Sequence, residues 1–210
     1  MHWVHAGAFF VLLASGLCLY LPSLAEAVGR RGLLKSIHIY TALAWAIVLV
    51  AIVLVGDRGS LRRAMREVEL FDADDRAWFR SRGRASGRLN AGQKVNTVIT
   101  AAFALLFAIT GFFLWYGERD TRFRLPNALL VHDWLTYASV ILVLGHLYLS
   151  LIYPATRHSL NGMTRGWVRE DWALRHHRKW ALGLARLPAE AAQGGAEADR
   201  TPERHDADGA

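Results

Sequence analysis

The chain has 210 residues, of which 53% are hydrophobic and 20% charged, and it carries a formal net charge of +7. A mean hydropathy of +0.16, with the apolar residues gathered into long runs, excludes an ordinary soluble domain. The single cysteine, Cys18, excludes an intrachain disulfide or a multi-thiolate metal site, and no nucleic-acid motif accompanies the basic excess.

Four runs, residues 3–21, 37–55, 95–116 and 129–153, contain no Lys or Arg. Each is long enough to cross a hydrocarbon core of about 30 Å as a helix. They predict an all-α membrane protein, a four-helix transmembrane bundle occupying residues 1–182. The first run is followed by Ala25-Glu26-Ala27, which matches a signal-peptide cleavage pattern. It lacks a basic n-region, however, and exceeds the usual h-region length, so it is expected to be retained as a span. His2 and His5 stand at its start and Gly16 toward its end; the glycine suits either close helix packing or room for a flat macrocycle.

The second span opens at His38. The polar segment 56–94 follows, in which apolar residues at 61, 65, 68, 70 and 71 among charges predict a short amphipathic helix on the membrane surface. Residues 80–87 read as a flexible turn. The segment Asn90–Lys94 (NAGQK) has two readings. In one, Asn90 is the N-cap of the third span, Gly92 lies in its first turn and Lys94 reaches the headgroups. In the other, the segment is a polar pocket able to hydrogen-bond a quinone carbonyl. The residues alone favour the cap. Trp115 and Tyr116 close the third span as an interfacial belt.

The fourth span carries His132 and His146. A separation of 14 residues turns a helix through about 1400°, near four full turns, and rises about 21 Å. The two imidazoles therefore leave one helix face at two depths. The only acid in a span is Asp133, placed to favour a helix N-terminus. After the span, residues 155–180 are basic and aromatic and are expected to lie against the bilayer, with His158, His176 and His177 solvated or facing headgroups. From Pro188 the chain is poor in apolar bulk, and residues 183–210 are expected to form a disordered cytoplasmic tail.

Charge predicts orientation. Nineteen of the 25 Lys and Arg fall in segment 56–94 or after Tyr153, and six in segments 22–36 and 117–128. The positive-inside rule then puts both termini and the long loop in the cytoplasm of a bacterial inner (plasma) membrane, in contact with anionic lipids. With that orientation His38 and His132 share the outer depth, and His146 shares the inner depth with His2 or His5. Spacing alone does not choose between the last two. Intramembrane histidines are costly and mark function. Matched pairs at two depths point to two stacked bis-histidine haems, against the alternatives of hydrogen-bonded core residues or a proton relay.

The residues His2-Trp3, Ser15-Gly16, His38, GRLNAGQK at 87–94, the His132–His146 pair and NGMTRGWVREDWALRHHRKW at 161–180 together resemble a known family. It is the cytochrome b (gamma) subunit of membrane-bound respiratory formate dehydrogenase, within the di-haem cytochrome b561-like family. The resemblance extends to about residue 182. It implies two haem b groups, with His38 and His132 on the outer iron and His2, rather than His5, with His146 on the inner one; Gly16 packs against haem. It also implies reduction of menaquinone or ubiquinone at the cytoplasmic side by a site including Asn90, Gly92, Gln93, Lys94 and His146, which reverses the preference for a plain cap. An iron–sulfur beta subunit and a molybdenum or tungsten catalytic alpha subunit on the periplasmic side are the implied partners, so the chain alone has no formate chemistry. Family members carry a basic segment before the first histidine, whereas here His2 follows Met1, which points to a start further upstream.

The expected function is that of an electron conduit from the periplasmic partner to quinone. A hydrogenase or another periplasmic oxidoreductase using the same bundle is the nearest rival. A haem-free anchor or proton-coupled carrier is the rival of a different class, and the absence of broken helices or inverted repeats counts against a carrier. No internal repeat is evident in the sequence.

Overall fold

The computed structural model describes residues 2–81, 86–184 and 186. The proposed turn at 80–87 and the proposed tail fall largely outside the described residues. All long elements are helical. In chain order they are α1 (His2–Tyr20), α2 (Pro22–Val28), α3 (Arg31–Val55), α4 (Arg58–Glu69), α5 (Ala73–Ser81), α6 (Ala91–Tyr116), α7 (Ala128–Leu147), α8 (Ser159–Thr164) and α9 (Glu170–His176). A single 3₁₀ turn, Thr121–Phe123, precedes α7, and a π turn, Tyr148–Ile152, continues it.

Among the described residues, four helices are long and apolar enough to cross a membrane: His2–Tyr20, Arg31–Val55, Ala91–Tyr116 and Ala128–Ile152. In hydrocarbon every backbone N–H and C=O must find its partner within the segment, and a continuous helix satisfies that. The sides of these helices are correspondingly bare of protein: Ile47 is 68% exposed, Leu105 63% and Ile141 71%. What the spans bury is small and partly polar, Ser15, Thr110 and Ser139 above all. That inverts a soluble core and suits helices that associate through small residues and hydrogen bonds.

The helices overrun the predicted spans, for local reasons. Pro22 at the first turn and Gly29 in the left-handed region (φ 64°) delimit α2, so much of the 22–36 connection is helical. Asp57 accepts the N–H groups of Gly59 (2.9 Å) and Ser60 (3.1 Å), capping the amphipathic helix α4. At the start of α6, Asn90 Oδ1 accepts the Gln93 N–H (2.9 Å) and Gln93 Oε1 accepts the Asn90 N–H (2.9 Å), a reciprocal capping box. The helix α7 begins at Ala128, so Asp133 lies beyond its first turn and not at the N-terminus expected for it.

The chain forms two compact units. One comprises Met1–Glu67 and Asn96–Leu149 and holds nearly all of the four spans; the other comprises Val68–Val95 and Ser150–Ala210. In the second unit, Lys94 is not at the headgroups. Its ammonium is buried, 2.6 Å from Asp75 Oδ2 and 2.9 Å from the Leu70 carbonyl. Asp72 and Asp75 cap α5 reciprocally, each accepting the other's backbone N–H (2.9 and 3.1 Å), and Lys179 bridges Asp72 and Asp74. The second unit also shows that His158 and His177 are not simply solvated. His158 Nε2 accepts the Arg169 N–H (3.1 Å), and the buried His177 ring donates from Nδ1 to the Gly87 carbonyl (2.9 Å). Both rings pack around the indole of Trp172.

Candidate functional site: two opposed histidine pairs

Within the first unit, α7 presents His132 and His146 from one uninterrupted stretch of α-helix, since the π turn starts only at Tyr148. Across from His132 stands His38 of α3, with ring centroids 6.4 Å apart and an interplanar angle of 62°. Across from His146 stands His2 of α1, at 6.1 Å and 54°. The fourth span thus meets the second at one end and the first at the other.

These separations have a chemical meaning. A metal held between two imidazoles needs about 2.0–2.1 Å to each nitrogen, and with about 1.2 Å from nitrogen to ring centre the centroids stand roughly 6.5 Å apart. Both pairs fit. Each supplies two nitrogen ligands and no more: among the described residues no three His, Cys, Asp or Glu side chains converge as ligands for an ion. A bare ion needs further donors, whereas iron in a porphyrin brings four equatorial nitrogens with it and asks the protein for the axial two. The donor sets therefore suit haem.

The His38–His132 pair carries further detail. His38 Nδ1 lies 3.0 Å from Ser15 Oγ, and His132 Nδ1 lies 2.8 Å from Thr110 Oγ1. Ser15 Oγ also reaches the Val11 carbonyl at 2.7 Å, and Thr110 Oγ1 the Leu106 carbonyl at 2.8 Å. Phe107 packs edge-on to His132 with centroids 5.0 Å apart. The residue after each hydroxyl is glycine. A Cβ on Gly16 would lie 3.3 Å from His38 Cε1, and one on Gly111 would lie 3.8 Å from His132 Cε1. Gly16 thus makes room for the imidazole itself.

His5, the open alternative to His2, is occupied otherwise. Its Nδ1 accepts the indole N–H of Trp45 at 3.1 Å, and the two rings sit 4.9 Å apart. Neither Trp45 nor the Ser15 and Thr110 hydroxyls stood out as partners in the sequence, because an isolated Ser, Thr or Trp in an apolar run carries no periodic signal.

Asn90, Gly92, Gln93 and Lys94 have structural work of their own in the second unit. Asn90 and Gln93 form the cap and Lys94 the buried ion pair. A Cβ on Gly92 would come within 2.8 Å of the Trp78 ring, so the glycine admits that indole against α6. The cap employs the carbonyl oxygens of the two amides.

The profile of the prokaryotic cytochrome b561 family matches residues 1–166. Three curated proteins are similar over most of their length. The formate dehydrogenase cytochrome b556(fdo) subunit of Escherichia coli (strain K12) is 24% identical over 193 residues, 85% of this chain and 86% of that protein. The formate dehydrogenase cytochrome b556 subunit of Haemophilus influenzae is 24% identical over 193 residues, 85% of this chain and 77% of that protein. The nitrate-inducible formate dehydrogenase cytochrome b556(Fdn) subunit of Escherichia coli (strain K12) is 24% identical over 201 residues, 90% of this chain and 88% of that protein.

Proposed function

The chain belongs to the prokaryotic cytochrome b561 family, and from that premise we propose that it is the membrane electron-transfer subunit of a formate dehydrogenase complex. It carries electrons from a periplasmic iron–sulfur subunit, served by a molybdenum or tungsten catalytic subunit, through two stacked b haems to menaquinone or ubiquinone at the cytoplasmic side. The observation that carries this reading is the opposition of two imidazole pairs along α7, His38 with His132 and His2 with His146. The relatives' names supply the complex.

Haem iron supplies one-electron exchange between ferric and ferrous states. The chain's residues do the rest. His38 and His132 would hold the outer group and His2 and His146 the inner one. The apolar flanks of the spans keep water and counter-ions from both. The 14-residue step separates His132 from His146 by about 21 Å along the helix. Asn90, Gly92, Gln93 and Lys94 are assigned to quinone, since polar groups able to donate hydrogen bonds suit a carbonyl that gains electron density as it is reduced. The excess of Lys and Arg in segments 56–94 and beyond Tyr153 supports a cytoplasmic position for both termini. Formate oxidation belongs to the catalytic partner and not to this chain.

The test is a reduced-minus-oxidised visible spectrum of the full-length chain in detergent, with haem quantified per polypeptide. Two b haems are expected. His38→Ala and His132→Ala each remove the same one, and His2→Ala and His146→Ala the other. A folded, helical, haem-free product from cells supplied with haem overturns the proposal.

A further inference from the structure

Two hydroxyls stand behind the outer histidine pair in matching positions. Ser15 of α1 meets His38 of α3, and Thr110 of α6 meets His132 of α7. Each precedes a glycine that lies against the same imidazole. Both are among the most buried residues of the spans, Ser15 at 5% and Thr110 at 4% exposure.

A serine or threonine hydroxyl has one hydrogen to give and two lone pairs to receive with. Here the hydrogen has a destination in the preceding turn, the Val11 carbonyl for Ser15 (2.7 Å) and the Leu106 carbonyl for Thr110 (2.8 Å). The oxygen is then free to accept, and what faces it is imidazole Nδ1. A neutral imidazole carries its proton on one nitrogen and a lone pair on the other. With Nδ1–H donated to the hydroxyl, the lone pair is on Nε2; the Leu12 carbonyl, 3.2 Å from Ser15 Oγ, adds a second acceptor beside His38.

We infer that Ser15 and Thr110 are paired positioning residues of the outer centre, which fix the tautomer and ring plane of His38 and His132 and tune the potential of the iron they hold. The inference rests on the reading that a haem sits between those two histidines, and adds to it which atoms set its properties. Neither residue touches the reacting atoms; both act through an imidazole. An acceptor on Nδ1–H makes a ligating imidazole more electron-rich, which stabilises the ferric state. A neutral hydroxyl does this mildly, where a carboxylate does it strongly. The two ends of α7 differ in this respect, because among the described residues neither His2 nor His146 makes a side-chain hydrogen bond. The device is therefore confined to one of the two centres, and the other serves as its control.

The experiment is a spectroelectrochemical titration of the full-length chain with both haems loaded, alongside ferric low-spin EPR. Ser15→Ala and Thr110→Val are each expected to move one of the two midpoint potentials to a more positive value, the same one in both variants, and to leave the other in place. The low-spin signal of that haem changes with the freed ring plane. Ser15→Thr and Thr110→Ser keep an oxygen acceptor and are expected to restore both readouts, which a mere packing role does not predict. Unchanged potentials, equal shifts of both haems, or shifts of different haems in the two variants overturn the inference while the haem reading stands. A wild-type chain that takes up no haem fails at the earlier step, and the two failures are thereby told apart.

Discussion

His5 accepts the indole N–H of Trp45 at 3.1 Å, and this contact separates it from His2, one turn away, whose ring faces His146 at 6.1 Å. Two histidines that spacing leaves equivalent have different neighbours. His5→Ala is expected to retain two haems per chain, whereas His2→Ala loses the inner one. Haem content by pyridine haemochrome of both purified variants decides this; loss of a haem in His5→Ala alone reverses the assignment.

The two glycines beside His38 and His132 are expected to respond unequally to a methyl group. At Gly16 the new carbon lies 3.3 Å from His38 Cε1, closer than carbon atoms ordinarily pack, while at Gly111 it lies 3.8 Å from His132 Cε1, at normal contact. Gly16→Ala must displace the His38 ring by a few tenths of an ångström and is expected to lower outer haem occupancy or alter its spectrum. Gly111→Ala leaves both as in the wild type. Equal behaviour of the two variants contradicts the geometry.

Lys94 serves two hypotheses, and its partner distinguishes them. Its ammonium and the Asp75 carboxylate form a buried pair at 2.6 Å. Removing one member of such a pair leaves an uncompensated charge and costs about 3–5 kcal/mol. Lys94→Met and Asp75→Leu are each expected to lower the thermal midpoint of the detergent-solubilised chain, and the double variant to recover most of the loss. If Lys94 also contacts quinone, Lys94→Met and the double variant raise the quinone KM of the assembled complex, and Asp75→Leu alone does so less. Quinone kinetics unchanged in the double variant remove Lys94 from the quinone site.

The tie between Lys179 and α5 gives a pH dependence. The Asp75 N–H chiefly, and then Lys179, hold the Asp72 carboxyl below its ordinary value of 3.8. The hydrogen bond to Asp74 chiefly, with Asp72 adding, holds Lys179 above its ordinary 10.5. A depressed acid contributes stability above its unfolded value and loses it as pH falls through the folded one; a raised base does so below its unfolded value and loses it as pH rises. The tie is therefore complete between these two ordinary values. The groups are exposed, so screening keeps the contribution below about 1 kcal/mol. Comparing thermal midpoints of wild type and Lys179→Met, the difference is expected at pH 7 and to vanish in acid below the folded value of Asp72. A difference that persists there assigns the effect to packing.

The four spans were legible because hydrocarbon imposes a length and a composition on any helix that crosses it, and no local detail competes with that. The spacing of His132 and His146 was legible for a related reason, since a regular helix converts sequence separation into depth. The short elements were harder. The helix α2 depends on a proline and a left-handed glycine in a connection that reads as loop, and the Lys94–Asp75 pair joins positions 19 apart across a change of direction. The expectation that Lys94 reaches the headgroups failed because a nearer carboxylate competes successfully with water for its charge. Ser15-Gly16 was legible through the family resemblance, but its match to Thr110-Gly111 was not, because a two-residue similarity becomes meaningful only when each is seen against its histidine.

That matched arrangement divides the surroundings of His38 and His132 along the chain. One hairpin, α1 with α3, brings a hydroxyl, a glycine and an imidazole; the second, α6 with α7, brings the same three kinds of group in the same order. Each hairpin therefore contributes one complete half of the site, so a peptide encoding a single hydroxyl–glycine–imidazole hairpin contains every type of side chain that surrounds His38 and His132.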